Sequence, residues 1–174
     1  KRYRMDERKW IERILAGDTQ SFSCLVAKYE KMAYTIALRI LENREEAEEA
    51  VQDAFVKMYR ALSDFHFDSK FSTWFYRIVY RTALTALRQQ RMFVSYEEAG
   101  PVDLSNGEVE SATALLERED RKEMIARTLK KLPADEALLL TLYYLEECSV
   151  EEICQITELS ASNVKVKLFR GRKR

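Results

Sequence analysis

The sequence predicts an all-α protein made of two small helical domains joined by a flexible acidic linker. Three observations carry that prediction. Apolar residues recur at three- and four-residue steps through most of the chain, the period of an amphipathic helix. Gly and Pro are scarce, four and two in 174 residues, too few for the many turns of a β-rich fold. The periodicity lapses only once for long, where Gly100-Pro101, Ser105-Asn106-Gly107 and scattered acids contain few large apolar residues. The expected boundaries are therefore a first domain over 1–92, a linker over 93–113 and a second domain over 114–174.

A first helix is expected from about Asp6 to Ala16, stopped by Gly17, with Asp18 as the next N-cap. A second helix follows, its apolar stripe running through Phe22, Leu25, Val26, Tyr29, Ala33, Ile36, Ala37 and Ile40. Asn43 caps a third, with Glu46 placed to complete a capping box and Ala47, Val51, Phe55, Met58 and Leu62 on its core face. Residues 63–71 are loop-like yet carry Phe65, Phe67 and Phe71. A fourth helix starts at Ser72 or Thr73 and ends near Gln90. After the linker, helical spacing resumes at Leu116 and runs to Leu132-Pro133, and 134–146 is strongly apolar. Ser149 and Glu152 form a capping box that opens a helix-turn-helix, with Ser160 as the N-cap of its second helix. A C-terminal lobe of about 60 residues is near the lower limit for folding alone.

Composition excludes several classes. No run of about 18 apolar residues is present, so no transmembrane helix is expected. The basic start, Lys1-Arg2-Tyr3-Arg4, is followed by no apolar core and is not a secretory signal; an opening on Lys1 rather than Met is expected of a trimmed chain. Cys24, Cys148 and Cys154 have no metal-like spacing and His66 is the single histidine, so no metal site is expected and the cysteines read as packing residues of a reduced, cytoplasmic protein. No catalytic constellation, phosphate loop or cofactor motif is present, so neither an enzyme nor a cofactor is expected.

The charge is formally zero but segregated. Glu42, Glu45, Glu46, Glu48, Glu49 and Asp53 form an acidic block, and Glu97 to Glu110 a second. Lys70, Arg77, Arg81, Arg88 and Arg91 form a basic block, and Lys165 to Arg174 another. Two basic blocks point to two nucleic-acid-facing surfaces. In the second, Ser160, Ala161, Ser162 and Asn163 lie at the start of the helix, where a recognition helix meets bases. Asn163 suits adenine, Lys165 and Lys167 suit guanine or phosphate, and Arg170 and Arg172 suit phosphate. In the first, Phe65, Phe67, Phe71, Trp74 and Tyr76 are interleaved with Lys70, Arg77, Arg81 and Arg88, the combination that single-stranded bases need. Core packing is the competing use of those aromatics. The like-charge pairs Glu42/Glu46 and Glu45/Glu49 fit either helix-dipole complementation or a basic protein partner.

Taken in order, these segments resemble the extracytoplasmic-function (ECF) sigma factors of bacterial RNA polymerase. Gly17-Asp18 with Phe22, Leu25 and Tyr29 looks like that family's opening; residues 45–55, EEAEEAVQDAF, resemble its polymerase-binding helix; Phe71-Ser72-Thr73-Trp74-Phe75-Tyr76-Arg77-Ile78 resembles its promoter-melting segment. Leu132-Pro133, Tyr144-Leu145-Glu146 and 149–153, SVEEI, resemble the second domain. The resemblance implies a sigma-2 domain that docks on core RNA polymerase through Glu48, Glu49, Gln52, Asp53 and Phe55. It implies that the Phe65–Arg88 segment captures the opened −10 element and that the last helix reads the −35 element. An anti-sigma factor is an expected partner, and an RNA-mimicking role is expected of the acidic linker. Arg81 stands where the family often has Asn, Glu158 where the turn usually has Gly, Asn163 where it has Thr, and Val166-Lys167 where it has Ser-Arg. The competing reading is a stand-alone helix-turn-helix repressor or activator, which would have no use for a single-strand platform.

Overall fold

Why α1 (Arg2–Leu15) stops is visible in Gly17, whose φ of +98° is a left-handed backbone open to glycine at no steric cost. The structure, a computed structural model, describes residues 2–94, 129 and 132–173, with side chains described from residue 7 and, in the fourth helix, as far as residue 90. Among the described residues all regular structure is helical. The expected linker beyond residue 94 and most of the helix expected from Leu116 lie outside them.

α2 (Gln20–Leu41) begins one residue later than Asp18 would dictate as an N-cap. Thr19 holds that position without a side-chain bond, while Asp18 accepts from the Gln20 N–H at 3.0 Å and the Ser21 hydroxyl at 2.8 Å. α3 (Arg44–Arg60) is capped by Asn43, which accepts from the Glu46 N–H at 3.2 Å. The expected capping box is only half made, because the Glu46 carboxylate accepts instead from the Gln90 side chain at 2.9 Å and ties α3 to α4. A short 3-10 turn (Leu62–Asp64) leads through the Phe65–Lys70 loop into α4 (Phe71–Val94), longer at both ends than its expected span. α2, α3 and α4 pack mutually around Leu25, Ile36, Met58, Phe75 and Val79, all fully buried, and α1 lies on α2 with Ile11 and Ile14 inward.

α5 (Ala134–Tyr144) is buried at every position from Glu136 to Leu142. A helix apolar all round needs cover on more than one side, and α5 receives it from α7 on one side and α2 on another. α6 (Val150–Thr157) opens on a complete capping box: Ser149 Oγ accepts from the Glu152 N–H at 3.1 Å, and Glu152 accepts from the Ser149 N–H at 2.8 Å. α7 (Ala161–Lys173) follows after a three-residue turn. α6 packs on α4 as well as on α7, so the α1–α4 and α5–α7 lobes share one continuous apolar core. The size problem of the C-terminal lobe is met by leaning on α2 and α4.

Candidate nucleic-acid interface

The loop before α4 owes its shape to three aromatic side chains used in different ways. Phe65 is buried beneath Trp74 and Phe71, with ring centroids 5.1 and 5.4 Å away. Phe67 is turned outward on a left-handed backbone, φ 62°, with its ring 4.8 Å from Phe65 and the Arg8 guanidinium 5.0 Å over it. Phe71 and Tyr76 are buried against Tyr29 and Phe75. The proposal that Phe65, Phe71 and Tyr76 offer faces to bases is therefore corrected here: these rings are spent on the core. Phe67, exposed, and Trp74, half-buried, are the rings of this segment that remain for a base.

Lys70, Arg81 and Arg88 are exposed and Arg77 is half-buried. Two of the exposed cations already hold carboxylates from the other lobe. Lys70 Nζ lies 2.8 and 3.1 Å from the two carboxylate oxygens of Glu152, and Arg81 donates through Nε, at 2.8 Å, and a terminal nitrogen to Glu158. The Tyr76 hydroxyl donates to Glu146 at 2.7 Å. Burial first, then the Glu146 charge and hydrogen bond, pushes the Tyr76 pKa well up, so this donor keeps its proton. Burial alone would raise the Glu152 carboxyl, but the Lys70 hydrogen bond, the Ser149 N–H and the Lys70 charge together hold it below its usual range. Sequence reasoning singled out Arg81 and Glu158 separately, each as a departure from the family pattern, and carried no sign that they meet.

On α3, Glu48, Glu49, Gln52 and Asp53 are exposed along one face. Glu49 and Asp53 border a cleft of about 280 Å³ shared with Lys57, Thr85 and Gln89. Phe55 does not belong to that face: it is buried, edge-on to Phe22 and 4.8 Å from Phe75. Two residues unremarked in the sequence do belong to it, Val56 and Tyr59, both exposed. Their spacing from Gln52 and Asp53, off the buried Ala47-Val51-Phe55-Met58 stripe, was the signal that placed them there.

In the helix-turn-helix, Glu158 takes φ 62°, the left-handed position expected to favour Gly, and its N–H bonds Cys154 O at 2.8 Å. Ser160 caps α7 by accepting from the Asn163 N–H at 3.3 Å. Val164, Leu168 and Gly171 face inward; a Cβ on Gly171 would lie 2.8 Å from Leu140 Cδ1, which accounts for glycine inside this helix. Ala161, Ser162, Asn163, Lys165 and Arg170 are exposed. Lys167 is ion-paired with Asp135 and Arg172 lies 5.2 Å over the Tyr143 ring, so both have protein partners. Val166 and Phe169 stand exposed on the outer face, opposite the buried residues. Phe169 was missed in the sequence, although its three-residue step from Val166 and its phase against Val164 and Leu168 give it away. Among the described residues no group of His, Cys, Asp and Glu could hold a metal ion, and no helix is long and apolar enough to cross a membrane. Cys148 is buried as expected and Cys154 half-buried, but Cys24 is exposed.

Comparison with known proteins bears on both faces. Residues 25–92 match the family model for Sigma-70 region 2, and residues 122–174 the model for Sigma-70, region 4. The chain is 32% identical over 173 residues to the RNA polymerase sigma-H factor of Pseudomonas aeruginosa, covering 95% of this chain and 90% of that protein. It is 31% identical over 169 residues to the ECF RNA polymerase sigma-E factor of Escherichia coli K12, covering 93% and 88%. Among solved structures, the fold is similar to the sigma factor RpoE in its complex with the anti-sigma factor NepR from Bartonella quintana (TM-score 0.69, 17% identity, 88% of this chain and 93% of that one). It is also similar to CnrH in complex with the cytosolic domain of CnrY (TM-score 0.62, 22% identity, 97% and 93%).

Proposed function

From the premise that the chain belongs to the sigma-70 family, as an RNA polymerase sigma factor with regions 2 and 4, we propose which residues direct core polymerase to promoters and how. The domains run over 1–92 and 114–174, joined by 93–113. Glu48, Glu49, Gln52 and Asp53, with Val56 and Tyr59 beside them, dock on a basic and partly apolar surface of core polymerase. Phe67 and Trp74 stack on bases of the opened −10 element while Lys70, Arg77, Arg81 and Arg88 hold its phosphates. Ser162, Asn163, Lys165, Val166, Phe169 and Arg170 enter the −35 major groove. The chain acts in the cytoplasm by binding and strand capture, with no reaction of its own, and an anti-sigma factor that covers these faces is its regulator.

The observation that carries the reading is the presence on one chain of an aromatic and cationic face on the Phe65–Lys70 loop and α4 and of an outward-facing recognition helix on α7. A repressor would need only the second. The test is run-off transcription on genomic promoter fragments with core polymerase free of any sigma factor. Promoter-specific transcripts above core alone are expected. Sequence-specific binding by the free protein with no gain in transcription would replace this reading with that of a repressor.

A further inference from the structure

Resting on the reading of α7 as the −35 helix, we infer that this chain reads its −35 element through thymine 5-methyl groups, with Val166 and Phe169 as the specificity-determining side chains. Val164, Leu168 and Gly171 of α7 are buried. A helix of about 3.6 residues per turn then points Ser162, Val166, Phe169 and Lys173 furthest from the core. Val166 is 46% and Phe169 58% exposed, and α7 carries no acidic residue. Lys165 borders this stripe on one side and Arg170 on the other, both exposed. An apolar centre between two cationic margins suits a duplex groove, whose floor is bases and whose walls are phosphates.

Neither Val166 nor Phe169 has a hydrogen-bonding side-chain atom. Of the four bases, thymine alone presents a methyl group in the major groove, beside its O4 acceptor. Pressed on a guanine or adenine edge, an apolar side chain strips water from the base acceptors and gives no bond in return. The neighbouring polar groups do not take over the centre of the stripe. Lys167 is drawn aside by its ion pair with Asp135 of α5. The Ser162 hydroxyl lies 3.1 Å from that of Ser160 in the cap, and Lys173 Nζ stands 5.0 Å over the Phe169 ring. Val166 and Phe169 are three residues apart, about 4.5 Å along the helix axis. Successive bases of one strand are about 3.4 Å apart, so the two side chains meet neighbouring base pairs. The expected element is A·T-rich, with adjacent thymine methyls under Val166 and Phe169 and an adenine within reach of Asn163.

The test uses holoenzyme assembled from core polymerase and the full chain. Promoter-length duplexes randomised over the −35 region are selected for binding, and the most enriched duplex is made with deoxyuridine in place of each −35 thymine in turn. That replacement removes one methyl and keeps the pairing and the O4 acceptor. The wild-type holoenzyme is expected to select adjacent thymines and to bind two of the uracil duplexes about 2- to 4-fold more weakly, the worth of one buried methyl each. Val166→Ser should abolish the thymine–uracil difference at one of these positions and Phe169→Ala at the other. Arg170→Ala, on the phosphate side, should weaken thymine and uracil duplexes alike. Both apolar side chains are exposed, so V166S and F169A are expected to keep the fold, which circular dichroism checks. A selected element without thymine, or equal binding of thymine and uracil duplexes by the wild type, would overturn the inference. So would a thymine preference that V166S and F169A both retain. Unchanged −35 affinity in both variants would overturn it as well and assign the stripe to a protein partner. Failure of the sigma reading would look different: core polymerase would add nothing to the selection, and the uracil series on duplexes selected by the free chain would still decide the methyl contacts.

Discussion

Replacing Phe67 and Phe65 in turn should separate two jobs that neighbouring aromatics of one loop perform. Phe65 is 6% exposed and touches Phe67, Phe71 and Trp74, so Phe65→Ala removes a core ring. Such a truncation costs about 3–5 kcal/mol. An unfolding entropy of about 2.1 cal/mol/K per residue over 174 residues is about 0.37 kcal/mol/K, so the melting temperature should fall by about 8–14 °C. Phe67 is 38% exposed, so its truncation removes less buried surface than that of Phe65. Phe67→Ala keeps the strained backbone and should lower the melting temperature clearly less than Phe65→Ala does. Phe67→Gly should raise it relative to Ala, because glycine takes φ 62° without strain. A stacked base is worth about 1–3 kcal/mol, so either Phe67 variant should lower the open-complex equilibrium by roughly 5- to 150-fold. Thermal melting by circular dichroism reads the first effect and permanganate reactivity of start-site thymines with core polymerase reads the second. Wild-type permanganate reactivity in both F67A and F67G would refute the assignment of Phe67 to opened DNA, whatever their stability.

Three further outcomes are expected. Ser149→Ala removes the Oγ acceptor of the α6 capping box, leaving the bond from the residue-149 backbone N–H to Glu152, and should cost about 1 kcal/mol, read as a fall of about 3 °C in melting temperature. Lys165→Ala should weaken −35 duplex binding by the polymerase holoenzyme and reduce its salt dependence by about one ion, whereas Lys167→Ala, whose lysine is already paired with Asp135, should do so less; equal effects in filter binding across a salt series would contradict the geometry. Glu152 carries a lowered folded pKa, so its contribution is present above the unfolded carboxylate value and is lost as pH falls through the folded one. Glu152→Gln should therefore flatten the acid side of the stability–pH curve measured by urea titration, and an unchanged acid slope would remove Glu152 from that role.

How much was legible beforehand depended on whether the signal was local. The helices among the described residues, the Ser149–Glu152 box and the Ser160 cap follow from spacing and from side chains that reach their own backbone, so they were readable in sequence. The fates of Phe55, Phe65, Phe71 and Tyr76 were not, because aromatics that stack on bases and aromatics that fill a core are the same residues at the same spacings. Only the direction in which α4 turns, fixed by its packing on α2 and α3, distinguishes them. Glu46 shows the same limit on a smaller scale: its position satisfies a capping box, yet a glutamine forty-four residues away takes its carboxylate. Arg81 and Glu158, separated by seventy-seven positions, meet through an approach of α4 and α6 that no local pattern encodes.

The all-round burial of α5 has a consequence for handling and lifetime. Whatever parts the two lobes bares the side of α5 that α2 covers, and that helix has no polar side to turn outward between Ala137 and Leu142 except Thr141. An opened chain without polymerase should therefore be colloidally unstable and quickly cut by proteases, so its opened population is self-limiting. Light scattering of an opened variant with and without equimolar core polymerase measures this directly, and clear solutions in both cases would show that α5 stays covered when the lobes separate.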